Sequence, residues 1–371
     1  MSERFSLKDH LFNEDRVSYL GSLLEVGIPD FDRPGFETAV MSKMFDLELK
    51  ERIAHIAGVL EAHLADDFED AADQIRNSLP PPLDPTLEDD DFGDFIMAPF
   101  GKFVEDHGLD HYEVSMELLK DLTMRFSMEG PIRAFISNEP ERTMRVFEEW
   151  ARDDNYHVRR LVSESTRPLL PWAARIELPV DAALPLLDVL HGDATRYVTR
   201  SVANHLNDIT KIEPSMTYGA IRRWREAGEQ KPDELEWMIR HSLRTLVKRG
   251  EPEAMRLLGY TPDPDVECAI VEISPEVRPG ESLDFTVTIS GHSAYDLLVD
   301  YAIDFVKKNG ETRRKVFKLK RLALVPGATE TIEKHHVIRA NASTYSIFPG
   351  THHLVILVNG SPSANASFEV G

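Results

Sequence analysis

Cysteine is almost missing from this chain, with Cys268 standing alone among 371 residues. A single thiol forms no internal disulfide and builds no thiolate zinc or iron–sulfur site, which suits a reducing cytoplasm. In that setting the Asn-x-Ser sequons at Asn341 and Asn365 carry no expectation of a glycan. No apolar run approaches the length of a membrane span. The N-terminus, MSERFSLKDHLFNEDR, also lacks the apolar heart of a signal peptide. A cytoplasmic monomer with no membrane partner is expected. The chain has no P-loop, no dinucleotide-binding fingerprint and no nucleophile elbow. EDDDFGD at 88–94 fails as a calcium loop because its glycine and closing acid are misplaced. The histidine pairs at 335–336 and 352–353 lack the carboxylate or thiol partners of a known site, so neither metal nor cofactor is expected.

Positive charge is also scarce. The chain holds 42 Lys and Arg against 64 Asp and Glu, a formal net charge of -22. That sum argues against nucleic acid, whose binding relies on cations that meet phosphate. Distribution matters more than the sum. Residues 61–110 hold fifteen acids against two bases, including EDDD at 88–91. Residues 307–321, KKNGETRRKVFKLKR, hold eight bases against one acid. Such a molecule can offer a basic face to an anion while another face stays acidic. Its 42% hydrophobic and 29% charged content is ordinary for a globular protein, and its length allows two or three domains.

Helical signals dominate up to about residue 260, and strand signals follow. The boundary is placed in the turn-rich GYTPDPD at 259–265, giving a helical domain over 1–262 and a strand-rich one over 263–371. PPPLDP at 80–85 and the acidic run after it read as a loop. Within the helical part YHVRRLVSES (156–165) aligns with RYVTRSVANHL (196–206) at an offset of 40, and a third copy follows at a further 41. An amphipathic helix precedes each copy: ERTMRVFEEWA, DAALPLLDVLH and MTYGAIRRWREA. Helix pairs of this period stack into a HEAT-like α-solenoid with one concave face. The fold is therefore expected to be mainly α, followed by a β-sandwich. About seven short alternating segments bounded by Pro-Gly and Asn-Gly turns suggest an immunoglobulin-like fold for that sandwich.

The stretch WARDDNYHVRRLVSESTRPLLPW, 150–172, concentrates arginines, a glutamate and two tryptophans. Asp153, Asp154 and Asn155 are N-cap candidates for a helix starting near Tyr156, and Pro168 ends it. Val158, Leu161 and Val162 face inward. Arg160 and Glu164 then stack at i, i+4, with Arg167 a turn beyond. Through the repeat offsets Arg160, Glu164 and Pro168 correspond to Arg200, Asn204 and Asp208, and next to His241, Thr245 and Arg249. Successive helices thus present a polar row. One Arg–Glu pair alone is an ordinary surface ion pair, whereas a stacked row is a candidate site. Upstream, Arg125, Glu129 and Arg133 are spaced by four, either as a salt-bridged face or with Gly130–Pro131 turning Glu129 into a cleft. Carboxylates can stabilise a developing sugar cation or activate water, arginines hold phosphodiesters, and a tryptophan stacks on a base or sugar. Cleavage of an N-glycosidic bond uses all three.

At these residues the sequence resembles the AlkC branch of the AlkC/AlkD superfamily of HEAT-like-repeat DNA glycosylases. The resemblance rests on the segment from Trp150 to Trp172, on RSVANHLND (200–208) and on WMIRHSLRTLVKRGEPEAMRLLGY (237–260). A longer subgroup of that branch carries a C-terminal immunoglobulin-like domain. The resemblance implies a repair enzyme that excises positively charged alkylated bases such as N3-methyladenine from double-stranded DNA, without flipping the lesion. It makes Glu164 the first choice for the catalytic carboxylate, with Asp208 and Glu129 next. Arg159 and Arg160 are expected at the DNA backbone, and Trp172 against the nucleotide. Arg133, Arg167, Arg200, Asn204, Arg244 and Lys248 join them as expected DNA contacts.

The basic segment, with Lys307, Lys308, Arg313, Arg314, Lys315, Lys318 and Lys320, reads as a second DNA contact. The alternative is a strand edge blunted by lysines. For the whole chain two other readings remain: a HEAT-repeat scaffold that binds a protein partner, and a DNA-binding relative without activity.

Overall fold

Side-chain oxygens set several of the helix starts. Asn13, Asp32, Asp67 and Asn155 each accept a backbone N–H in the first turn that follows them, and Glu48 with Glu51 forms a reciprocal capping box. The structure, a computed structural model, describes residues 5–86, 92–340 and 347–371. The acidic run 88–91 and the sequon at Asn341 lie outside them. Two compact units divide the chain, Met1–Ser242 and Leu243–Gly371.

The first unit is helical. Its elements are α1 (Leu7–Leu11), α2 (Glu14–Gly27), α3 (Arg33–Met41), α4 (Leu49–Glu61), α5 (Phe68–Asn77), α6 (Ala98–His107) and α7 (Tyr112–Thr123), followed by α8 (Ile132–Asn138). The three repeat pairs come next: α9 (Pro140–Trp150) with α10 (Tyr156–Ser165), α11 (Leu184–Leu190) with α12 (Arg196–Ile209), and α13 (Pro214–Ala227) with α14 (Pro232–Lys248). Proline stands in the first turn of α9, α11 and α13, where no helical N–H is lost. The 40-residue spacing is realised physically, because α10 and α12 pack directly against each other. Val158, Leu161, Val162, Val198, Val202 and Leu206 are fully buried. On α13, Gly228 closes the helix in the left-handed conformation.

Among the described residues, the second unit contains the last turns of α14, the short α15 (Pro252–Leu257) and eight strands. These are β1 (Glu267–Ile273), β2 (Glu276–Val277), β3 (Ser282–Ser290), β4 (Tyr295–Val306), β5 (Thr312–Leu324), β6 (Thr329–Val337), β7 (Gly350–Val358) and β8 (Ser361–Val370). They form two sheets, ordered β1-β3-β6 and β2-β8-β7-β4-β5. The alternating pattern of β3 sends Leu283, Phe285, Val287 and Ile289 into the core, where they meet Tyr301 and Phe305 of β4. Asn-Gly at 309–310 is the tip of the β4–β5 hairpin, with Gly310 at φ 80°. The outer face of the larger sheet is buried too, at Asp300, Ala302, Val355 and Leu357. Beside it, Gly250 approaches the backbone of Gly360 so closely that neither position leaves room for a Cβ. The sheet thereby takes α15 and the end of α14 into its own unit.

Candidate active site

Helix α10 starts where Asn155 accepts the N–H of His157, buries Val158, Leu161 and Val162, and stops before Pro168. Its remaining face carries charge into a nearly buried place. Arg160 donates to Glu129 at 3.1 Å and lies 3.7 Å from Glu164. Glu164 accepts from Arg167 at 2.6 Å and from Ser201 at 2.6 Å. Arg167 reaches across to Asp208 at 2.9 Å, and Asp208 pairs with Lys211 at 3.0 Å. Glu129, Arg160, Glu164, Arg167, Asp208 and Lys211 thus form one chain of alternating sign, built from the turn before α8, from α10 and its C-terminal turn, and from α12 and the turn after it. The three acids proposed from sequence are brought together, joined through two arginines.

Accessibility grades along this chain. The side chain of Glu129 is 28% exposed, that of Glu164 8% and that of Asp208 2%. Solvent meets the carboxylate at the Glu129 end. Burial alone pushes the Glu164 carboxyl up, but Arg160, Arg167 and the Ser201 hydroxyl together hold it below its ordinary value. Burial likewise opposes the charge on Arg160, and Glu129 and Glu164 more than offset it. Both groups are therefore ionised at neutral pH. Taking such charges out of water is costly unless every partner is in place, so the network is a candidate for function rather than a source of stability.

Aromatic rings close over Arg160. Its guanidinium carbon lies 4.9 Å from the ring centre of Tyr197 and 5.8 Å from that of Phe92, and these two rings meet edge to face. Burial raises the Tyr197 hydroxyl to about 12. Phe92 is 50% exposed. It is held by the bridge between Gly93 and Phe126, where Gly93 sits at φ 79° and any Cβ would strike the carbonyl of Arg125. Behind Glu164, His205 places Nδ1 3.0 Å from the carbonyl of Ser163. Burial lowers this imidazole to about 4, so it is neutral and donates to that carbonyl. Phe92, Tyr197, Ser201, His205 and Ser127, whose hydroxyl accepts from Arg160, escaped sequence reasoning. None sits in a recognisable spacing with Arg160 or Glu164, and only the packing of α12 on α10 and the Gly93–Phe126 bridge bring them in.

Trp172 follows on the loop after α10. It is 76% exposed and adopts φ 71°, a left-handed backbone that tryptophan rarely takes. Two cations hold the loop. Lys50 of α4 donates to the carbonyl of Trp172. Arg133 of α8 donates to the carbonyls of Ser165 and Arg167 at 2.7 and 2.9 Å and to that of Ala174 at 2.7 Å. Arg133 is itself buried, and burial, with Arg167 close by, lowers it to about 10. Its guanidinium is occupied as a brace of the Trp172 loop, unlike the DNA contact expected of it. Nor do Arg125, Glu129 and Arg133 form a salt-bridged face. Arg125 binds the carbonyls of Pro80 and Asp121, while Glu129 turns to Arg160. A cavity of about 550 Å³ opens between this loop and α8, with Phe95, Phe126, Met128, Leu170, Trp172 and Glu129 among its walls.

Arg159 is bound to Asp193 and to the carbonyls of Asp153 and Asp154. Arg200 and Asn204 lie half-buried on α12, and Asn204 meets His241 at 2.9 Å. In the second unit Arg244 and Lys248 occupy the last turns of α14, half-buried and exposed respectively. Lys308, Arg313, Arg314 and Lys318 are exposed at the β4–β5 hairpin and along β5, an edge strand, with Lys315 half-buried. Arg314 is paired with Asp304, Lys320 with Glu330 and Lys307 with Glu311. The histidine pairs are used internally: His335 with Asp284, His336 with Tyr301, His352 with the Phe348 carbonyl and His353 with Ser367.

Residues 268–371 match the family described as the C-terminal Ig-like domain of the uncharacterised protein YhaZ. Across 97% of this chain and 98% of its own length, YhaZ of Bacillus subtilis (strain 168), described as uncharacterised, is 30% identical. Among solved structures the chain is similar to the alkylpurine DNA glycosylase AlkC of Pseudomonas fluorescens, bound to DNA containing an abasic site analogue. The TM-score is 0.88 at 32% identity, covering 99% of this chain and all of that one.

Proposed function

The chain belongs to the AlkC-type family of helical-repeat proteins with a C-terminal immunoglobulin-like domain, and on that premise we propose that it is a DNA repair glycosylase. Its substrates in this reading are cationic alkylated purines, N3-methyladenine among them, which it removes from double-stranded DNA by hydrolysing the N-glycosidic bond. The observation that carries the reading is the alternating ion chain that ends, at Glu129, on a carboxylate open to solvent.

A methylated purine already bears positive charge and leaves readily. As its bond to C1′ stretches, the charge moves onto the sugar, and a fixed carboxylate beside C1′ stabilises it and orients a water. Exposure favours Glu129 for that task. Glu164 and Asp208 then act from behind, holding Arg160 and Arg167 in place, and Arg160 in turn fixes the Glu129 carboxylate. Trp172 stands ready to pack against the nucleotide, and the lesion stays in the duplex. On the sandwich, Arg313, Lys315 and Lys318 offer a second contact with the phosphate backbone.

The test is incubation with methylated DNA and measurement of released N3-methyladenine. Wild type is expected to release it, and Glu129→Gln to lose about 100-fold or more in single-turnover rate, the range typical of a positioned acid–base group. Glu164→Gln should lose activity as well, with its melting temperature followed in parallel because it leaves two buried arginines short of a partner. DNA binding without release by wild type would instead mark a DNA-binding relative that has no activity.

A further inference from the structure

The ion chain accounts for a positively charged lesion, yet a separate and mostly apolar space opens beside it. The cavity between α8 and the Trp172 loop shares one residue, Glu129, with that chain. Phe95 and Phe126 form one wall, with ring centres 4.6 Å apart and planes tilted by 54°. Trp172 forms part of the wall across from α8. We propose that this cavity receives the departing purine after bond cleavage, as a neutral planar heterocycle; the proposal rests on the glycosylase reading above.

The chemistry of the break carries the argument. When the C1′–N9 bond of an N3-methyladenine nucleotide opens, its electron pair stays with the ring and cancels the ring's positive charge. Water adds its oxygen to C1′, and its spare proton passes to a carboxylate. The base therefore enters the reaction as a cation and leaves it neutral. A cation belongs beside the acids, whereas a neutral aromatic ring gains more from desolvation between aromatic faces.

The cations around the cavity are already committed, which disfavours a phosphate there. Lys50 is bound to the Trp172 carbonyl and Arg133 to three carbonyls. Lys102 is paired with Glu105 and Asp106. What the cavity offers instead is an acceptor, the Glu129 carboxylate, and an exocyclic amino group of adenine is a donor for it. A volume of about 550 Å³ is ample for one purine and lies in the ordinary range of small-molecule sites. Drawing the base aside also removes it from C1′ before it can add back.

The probe is free 3-methyladenine added to the full-length protein. It should inhibit excision from methylated DNA and quench the tryptophan emission over the same concentration range. Trp172→Phe should abolish the quench, since Trp150 and Trp224 are buried and Trp237, stacked on His241 of α14, does not line the cavity. Ala134 lines the cavity from α8, and Ala134→Phe should fill it. That variant is expected to raise the half-inhibitory concentration by about tenfold, the scale of one aromatic stacking interaction. Should it fail to fold, Ser137→Tyr, exposed on the same helix and lining the same cavity, replaces it. Excision by wild type with neither inhibition nor quenching up to the solubility of the base would overturn the proposal. So would inhibition left unchanged in a folded Ala134→Phe. A quench without any excision would keep the cavity and remove the glycosylase reading.

Discussion

Two acidic residues show how burial decides what a carboxylate can do. Glu164 has an arginine on either side and a serine hydroxyl, so it keeps its charge in a buried place. Asp300 on β4 is buried without such company. One of its oxygens has no hydrogen-bond partner among the described residues, and burial raises its carboxyl to about 6 from 3.8, with Lys318, Arg321 and Lys248 only partly opposing the shift. The folded state thus holds a proton that the unfolded chain gives up. Stability should be unaffected below about pH 4, where both states are protonated, and should fall as pH rises from there to about 6. Replacing Asp300 by Asn should therefore raise the melting temperature of the second unit at pH 7 by the equivalent of roughly 2 kcal/mol, with the gain vanishing near pH 3.5. A variant no more stable than wild type at pH 7 would show that the three cations compensate the charge fully.

Elements differ in how openly they announce their role. Helix α10 is written out in advance, from its Asn155 cap to the proline that follows its last turn, and its apolar stripe forces Arg160 and Glu164 onto a common face. Strand β5 is also legible as basic, but its pairing is not. The register sets Arg314 opposite Asp304 and Lys318 opposite Asp300, so part of the charge is answered within the sheet. In the proposed reading the contacts of this strand with DNA include Arg313, Lys315 and Lys318. Reversing these three to Glu is expected to weaken DNA binding and to flatten the slope of log affinity against log salt by about two to three units, roughly one for each phosphate no longer neutralised. A slope equal to that of wild type would take β5 out of the interface.

At the scale of the molecule, a chain with net charge -22 binds DNA, in the proposed reading, through local concentrations of arginine and lysine, so affinity should be strongly salt-dependent. Two compact units with separate cores should also unfold with separate heat absorption peaks in calorimetry, or with a calorimetric enthalpy above the van't Hoff value. One transition with equal enthalpies would show that the units are coupled. The helix pairs at a 40-residue period, the strand-rich C-terminal part and the cluster from Trp150 to Trp172 were all determined by the sequence alone. Each rests on local periodicity, capping or turn chemistry, which neighbouring residues decide among themselves. Helix packing and loop closure decided the rest: that Glu129 and not Glu164 is the accessible acid, that Arg133 braces the Trp172 loop, and that Phe92 and Tyr197 cover Arg160. Those outcomes depend on contacts between residues some 30 to 100 positions apart, as between Arg160 and Glu129 or Phe92 and Tyr197, and no pattern along the chain records which distant side chain will occupy a given volume.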